Sequence, residues 1–337
     1  MKKVKCAGIF VLLLLMSAGI VFAAGRGGRD PDVFTLRFGH VHPEHDLFHV
    51  HKLRWAEAAR AASNGRLNIE VFPSAVLGLE EDVLEQIRQG ANMGWKTDFA
   101  RLGSYVRELS VVNAPFFVSN LDEALRLGES ATIQRLNTEL AQRFGIANIS
   151  FNWVQGDRHV FSNVIARTPD EFRGLRIRTP PAPIWVESVR ALGATPTPLP
   201  FGEIYTALQT GVVEGCELPF NSAYSLSLFE VARYAIETGH IFQLNTVVVS
   251  YAWLNRLPEY LQRILIDTAN EAGLGLSRAL AAQTASSRQA MINRGVTVIG
   301  QDQLDMAAFR RDSVQAYQAL GLLDVRNAVH RDIGIAR

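Results

Sequence analysis

Only two cysteines occur in the 337 residues, Cys6 and Cys216, and Cys6 lies inside a leader-like N-terminal stretch. With that stretch set aside a single thiol remains, so no intrachain disulfide can form and stability must come from packing. Net charge is equally small: the formal value is +1, and about −2 once Lys2, Lys3 and Lys5 are removed. No later segment clusters basic residues as contacts to a phosphate backbone require, which leaves nucleic acid a poor partner. No second run of about 18 apolar residues follows the leader, so the mature chain is expected to be soluble. Nor does a nucleophile elbow, a phosphate-cradling glycine loop or a paired-carboxylate site stand in recognisable context. Neither an enzyme nor a bound cofactor is expected. Cys216 has no evident base beside it and reads as core packing.

What is present begins with Lys2, Lys3 and Lys5 ahead of an apolar run from Ala7 to Phe22, then Ala23 and Ala24. At about 16 residues the run is short of the roughly 20 that a spanning helix needs. It reads as a signal peptide, residues 1–23, cleaved after Ala23 on export. Cys6 precedes the apolar run, where a lipoprotein cysteine would follow it. The remainder, about 314 residues, suffices for two domains of ordinary size.

From Leu36 to Val71 the pattern is strand, helix, strand. Leu36 and Phe38 alternate, Leu47, Val50, Ala58 and Ala62 keep a helical period, and Leu67, Ile69 and Val71 alternate again. A helix follows over about Glu80 to Gln89. The grammar repeats at Leu175 and Ile177, with Arg176 and Arg178 on the opposite face and Pro180 stopping the strand. Helices with Trp185, Val189 and Leu192, and over about Glu203 to Thr210, come next. These alternations predict a two-lobed α/β protein with mainly parallel strands and a ligand site at strand carboxyl ends. From Pro258 to about Asn293 a helical period persists without a clear stop. Unbroken, it would be about 50 Å long and would have to serve both lobes; kinked at Gly273 and Gly275, it would be two helices.

Gly174-Leu175-Arg176-Ile177-Arg178-Thr179-Pro180, Leu192-Gly193-Ala194-Thr195-Pro196-Thr197-Pro198, and the run from Pro200 to Gly215 resemble the solute receptors of TRAP transporters, the DctP family. Phe72 to Gly78 in the first lobe belongs to the same resemblance, which covers nearly all of the mature chain. It implies a two-lobed periplasmic binding protein-like fold, with a long helix spanning both lobes, that closes on a carboxylate-bearing solute. It also implies lobes at residues 33–154 plus about 243–283 and 155–242 plus about 284–337, and as partners a small organic acid and the small and large membrane subunits of a transporter.

The resemblance makes Arg178 the arginine that grips the ligand carboxylate. Its two parallel N–H donors match a carboxylate, and it stays charged when water is excluded. Arg158 matches a second pocket arginine, against the alternative of a salt bridge to Asp157, and Phe201 the aromatic packed on the ligand. Glu80, Thr97, Asp98 and Arg101 fall where the family places polar pocket residues, and His40 and His42 sit on the loop after the first strand. The chain departs from the family at Cys216-Glu217-Leu218-Pro219, where Leu218 replaces the usual asparagine. A ligand hydroxyl there would be buried unpaired at a cost of roughly 1 to 3 kcal/mol. Together with Pro181, Trp153 and Trp185, this points to a less polar, aromatic, branched or cyclic acid. Two rival readings remain. His40, His42, His45, His49 and His51 crowd into twelve residues, and His45 and His49, one helical turn apart, could share a zinc ion, although exposed histidines on a first helix explain the cluster more simply. A loaded receptor could also signal to a sensor protein.

Overall fold

The described residues form nine strands: β1 (Phe34–Gly39), β2 (Leu67–Phe72), β3 (Met93–Asp98), β4 (Ile146–Ser162), β5 (Arg176–Thr179), β6 (Thr195–Pro198), β7 (Gly215–Leu218), β8 (Tyr234–Ser250) and β9 (Thr297–Ile299). The computed structural model describes residues 33–335; the expected signal peptide lies outside the described residues. β1 pairs in parallel with β2 and β3, with Leu36 opposite Ile69. The helix Leu47–Ala62 crosses from β1 to β2, and Asp46 caps it by accepting the Phe48 N–H at 2.8 Å. The helix Glu80–Arg88 crosses from β2 to β3 with three acids in its first turn. β5 pairs in parallel with β6 and β7, and the helix Pro183–Ala191, whose proline opens the first turn, crosses from β5 to β6. The stretch expected to be helical over about Glu203 to Thr210 is a 3-10 turn, Phe201–Glu203, leading into the helix Ile204–Gln209.

Five of the eight strand pairs are parallel, as expected of mainly parallel strands, and the three antiparallel pairs lie at the centre. Strand order is β2-β1-β3-β8-β4-β7-β5-β6, with β9 beside β8. β8 lies antiparallel to both β3 and β4, and β4 antiparallel to β7. β4 and β8 are 17 residues each and run through both halves of the sheet. Asn245 to Val249 of β8 pair with β3, whereas Tyr234 to Ile236 pair with β9. Because these strands are shared, Val33 onward forms one compact unit by contacts.

The long helix, Glu259–Asn293, runs unbroken through Gly273 and Gly275, 35 residues or about 52 Å. Its glycine at 273 serves close approach: a Cβ there would lie 2.3 Å from Asn152 Oδ1 and 2.7 Å from Trp153 Nε1. Ser277 accepts the Val154 N–H at 2.7 Å and donates to the Asn152 carbonyl at 2.6 Å. Trp55 donates to the Leu265 carbonyl at 3.3 Å near one end, and Asn221 to the Leu280 carbonyl at 3.1 Å farther along. The helix thereby joins the first helix, β4 and the helix Phe220–Ser225. Among the described residues no helix is long and apolar enough to cross a membrane.

Two outcomes follow from this packing. Gly273→Val forces the helix off β4 and lowers unfolding free energy by about 1 to 3 kcal/mol in denaturant titration. Cys216 is fully buried, and burial pushes its thiol up to about 12. In the signal-less protein a thiol reagent leaves it unmodified in the native state and titrates one thiol after unfolding in urea.

Candidate ligand-binding site

The carboxyl ends of the strands converge on one cavity, walled from the first lobe by Val41, His42, Glu80, Lys96, Asp98 and Arg101. From the other side come Gln155, Arg158, Arg178, Pro180, Phe201 and Leu218, with Gln243 on β8. Period-two alternation explains which β3 residues reach it. Lys96 and Asp98 share a face, while Trp95 packs into the core. On β4 the register shifts between Val154 and Gly156, and Gly156 adopts φ +94°. This irregularity turns both Gln155 and Arg158 to the cavity.

Two arginines meet there in different states. Arg158 is 2 % exposed and fully engaged: Nε and Nη2 donate to the Glu217 carboxylate and carbonyl, and Nη1 to Gln243 Oε1 at 2.6 Å. Its guanidinium lies 4.6 Å over the Trp185 ring, whose own N–H donates to Asp98 Oδ1 at 3.3 Å. Arg178 is 1 % exposed and has no carboxylate at ion-pair distance. Nε and Nη2 both donate to the Leu199 carbonyl, at 2.8 and 2.5 Å, and Nη1 finds no acceptor among the described residues. Burial lowers its pKa to about 9, with Glu217 opposing and Arg158 adding to the effect. It therefore stays charged at neutral pH.

Arg101 sits among three carboxylates, Asp98 at 2.6 Å, Glu81 at 3.0 Å and Glu80 at 3.4 Å. Burial pulls its pKa down, but Glu80, Asp98 and Glu81 together outweigh that and raise it. Burial raises the Glu80 carboxyl, Asp98 adds to this and Arg101 opposes it; Glu80 Oε1 is buried without a hydrogen bond. Burial lowers Lys96 to about 8 against the pull of Glu80 and Asp98. His42 is brought down to about 4 by burial, Asp46 opposing, and is uncharged at neutral pH.

Of the residues singled out from sequence, Arg178, Arg158, Phe201, Leu218, Glu80, Asp98, Arg101 and His42 come together on the cavity wall. Four do not. Thr97 is one step out of phase on β3 and fully buried. Glu217 lies behind the wall, holding Arg158 and accepting from Thr179 Oγ1 at 2.9 Å. Pro180 takes the wall position expected of Pro181. His40 is fully buried, bonded through Nε2 to His49 Nδ1 at 3.1 Å. Arg158 pairs with Glu217 and not with Asp157. Trp153 is buried against Lys52, away from the cavity wall. Lys96, Gln155, Gln243 and Val41 were missed; Asp98 came from the family resemblance, and period-two alternation back from Asp98 would have pointed to Lys96 as well.

The histidines are not an exposed set: His40, His42, His49 and His51 are all buried. His45 precedes the helix and faces Ser225 Oγ at 3.4 Å, while His49 faces His40, so the two do not converge. Among the described residues no group of three or more His, Cys, Asp or Glu is placed to hold a metal ion.

Residues 38–321 match the family described as bacterial extracellular solute-binding protein, family 7, or DctP. The 2,3-diketo-L-gulonate-binding periplasmic protein YiaO of Escherichia coli K12 is 28% identical over 279 residues, 82% of this chain and 83% of that protein. The sialic acid-binding periplasmic protein SiaP of Vibrio cholerae is 27% identical over 243 residues, 72% and 75% of the two chains. A TRAP periplasmic solute-binding protein from Ochrobacterium anthropi with bound L-fuconate superposes with a TM-score of 0.84 at 26% identity, covering 90% of this chain and 99% of its own. One from Actinobacillus succinogenes with bound L-galactonate gives 0.83 at 25%, covering 89% and 99%. With its shared central strands, bracing helix and arginine-lined cavity, this chain belongs to the DctP family of extracellular solute-binding proteins.

Proposed function

We propose that this protein is a periplasmic receptor that captures a small organic acid between its lobes and hands it to the small and large membrane subunits of a TRAP transporter, without catalysing a reaction. The observation that carries the reading is Arg178. It is a buried guanidinium with one nitrogen lacking an acceptor, on the wall of a cavity lined from both lobes. An incoming carboxylate supplies the missing acceptor and the missing negative charge. Arg158, spent on Glu217 and Gln243, stiffens the wall and adds positive potential. Phe201 gives an apolar face beside the anchor, and Leu218 removes one polar contact. Ligand contacts made from both lobes favour the closed arrangement over an open one, and the transporter can read that shape. The acids named for the relatives, among them L-fuconate, L-galactonate and sialic acid, share the carboxylate this anchor needs.

The test is a thermal-shift screen of signal-less protein, refolded to strip carried-over ligand, against organic acids, sugar acids, neutral sugars and metal ions. Carboxylates raise the midpoint, since ligand at 100 times its Kd adds about 2.7 kcal/mol. A response to zinc alone overturns the reading. For an acid so identified, Arg178→Ala weakens binding by about 2 to 5 kcal/mol, roughly 30-fold to several thousand-fold in Kd by calorimetry. Leu218→Asn shifts preference toward hydroxylated acids. The ratio of L-galactonate affinity to that of the best wild-type ligand rises by about tenfold, the worth of one satisfied hydrogen bond.

A further inference from the structure

The cavity beside Arg178 is small for a ligand. It has room of about 30 Å³, enough for about two or three water molecules at roughly 10 to 15 Å³ apiece. A carboxylate and little else fits there. Next to it lies an outer chamber of about 330 Å³, and Val41, Glu80, Arg101 and Phe201 line both spaces. A cavity of about 150 Å³ takes up benzene, so the outer chamber is ample for a phenyl ring or a branched alkyl chain.

The chemistry of the chamber differs from that of the inner cavity. Apolar side chains dominate its lining, among them Val41, Ala75, Leu79, Pro200, Phe201 and Leu226. Its charged residues are Glu80, Glu81, Glu203 and Arg101, and Arg101 is taken up by Asp98, Glu81 and Glu80. Among the described residues no cation on this wall is left to hold a second carboxylate, and the surplus of acids repels one.

Two positions on this wall break local rules. Leu79 occupies the N-cap of the helix Glu80–Arg88, where a side-chain oxygen is favoured; it makes no cap hydrogen bond and is 52 % exposed. The helix gains nothing from a leucine there, whereas an apolar group in the chamber would be covered by it. Ser74 and Ala75 adopt φ +52° and +57°, a left-handed pair that side chains disfavour. The Ser74 N–H donates to the His42 carbonyl and the Ala75 N–H to the His40 carbonyl, each at 2.9 Å. These bonds fix the strained turn to the loop after β1, so that part of the chamber wall is built before any ligand arrives.

We propose that the outer chamber is an apolar subsite, which takes the aryl-alkyl or branched alkyl tail of a monocarboxylic acid whose carboxylate sits on Arg178. The inference rests on the receptor reading and narrows it. Phe201, common to both spaces, lies along the tail where it leaves the carboxylate, and Leu218 keeps the inner part free of one polar partner. Covering Leu79 and Leu226 with the tail removes apolar surface from water on both sides of the contact. Trp153 and Pro181, which from sequence pointed to a less polar acid, lie off the cavity wall; the chamber supplies a different basis for it.

Titration calorimetry on refolded, signal-less protein tests this with acids of one length that differ at the far end: hexanoate, 6-hydroxyhexanoate and hexanedioate. The aryl and branched probes are 3-phenylpropionate and 4-methylpentanoate, and L-galactonate is the polyhydroxy reference. At least one of the three apolar-tailed acids is expected to bind about tenfold or more tighter than every polar-ended one. That ratio collapses in Leu79→Ser and is kept in Leu79→Met. Serine is a favoured N-cap, so Leu79→Ser folds with at least wild-type stability and the loss is read on a folded protein. A polar-ended acid that binds as tightly as the apolar-tailed acids overturns the subsite, as does an apolar preference that survives Leu79→Ser. Affinities unchanged by Leu79→Ser while cells lose solute uptake also overturn it, and make the chamber a contact for the membrane subunits. Binding of polar acids alone sinks only the subsite, whereas binding of no carboxylate of any kind sinks the receptor reading with it.

Discussion

Charge compensation without water governs how this molecule is built around its cavity. Arg101 rests on Asp98, Asp98 accepts the Trp185 indole N–H, the Trp185 ring lies against Arg158, and Arg158 is clamped by Glu217. This chain of contacts runs from β3, through the helix Pro183–Ala191, to β4 and β7. Breaking a buried pair by removing one partner typically costs several kcal/mol, so each member holds its neighbours in place. The interactions are complete for Arg101 and Arg158 and incomplete for Arg178, whose Nη1 has no acceptor among the described residues. That contrast is where structure turns into binding.

Positioning these groups needs a frame that both lobes share. β4 and β8 supply it by running through both halves of the sheet, and the long helix braces β4 where Gly273 lets it approach. Arg158 and Gln243 stand on these shared strands, whereas Lys96 and Arg178 stand on β3 and β5, which flank them. A ligand held in the cavity between them would tie these flanking strands across a common spine. Coupling between binding and shape then follows from the differential contacts of the closed state.

Much of this was legible in the residues because it depends on local periodicity. Leu36, Phe38, Leu67 and Ile69 alternate in and out, Gly and Pro punctuate the helices, and the run around Arg178 carries the family resemblance. The central antiparallel strands were not legible, for a physical reason. From Ile241 to Ser250, β8 is buried almost throughout, so its apolar and polar residues do not alternate, and the register shifts in β4 break its period. The same loss of period hid Gln243. Thr97 followed the family resemblance, in which Lys96 had no part; only the tertiary structure reveals Lys96 buried beside Phe48. The histidines were misjudged in the same sense, since His42 is buried by stacking on Phe48 and approaching Phe201, neither of which its spacing announces.

The central claim is that the ligand's carboxylate docks on Arg178, and a crystal structure of the protein with the acid it binds most tightly tests it most directly. The account predicts a carboxylate with its oxygens at about 2.7 to 2.9 Å from the Arg178 guanidinium, taking up the free Nη1. A carboxylate held by Arg101 or by the histidine cluster, with Arg178 still bonded only to the Leu199 carbonyl, would contradict it.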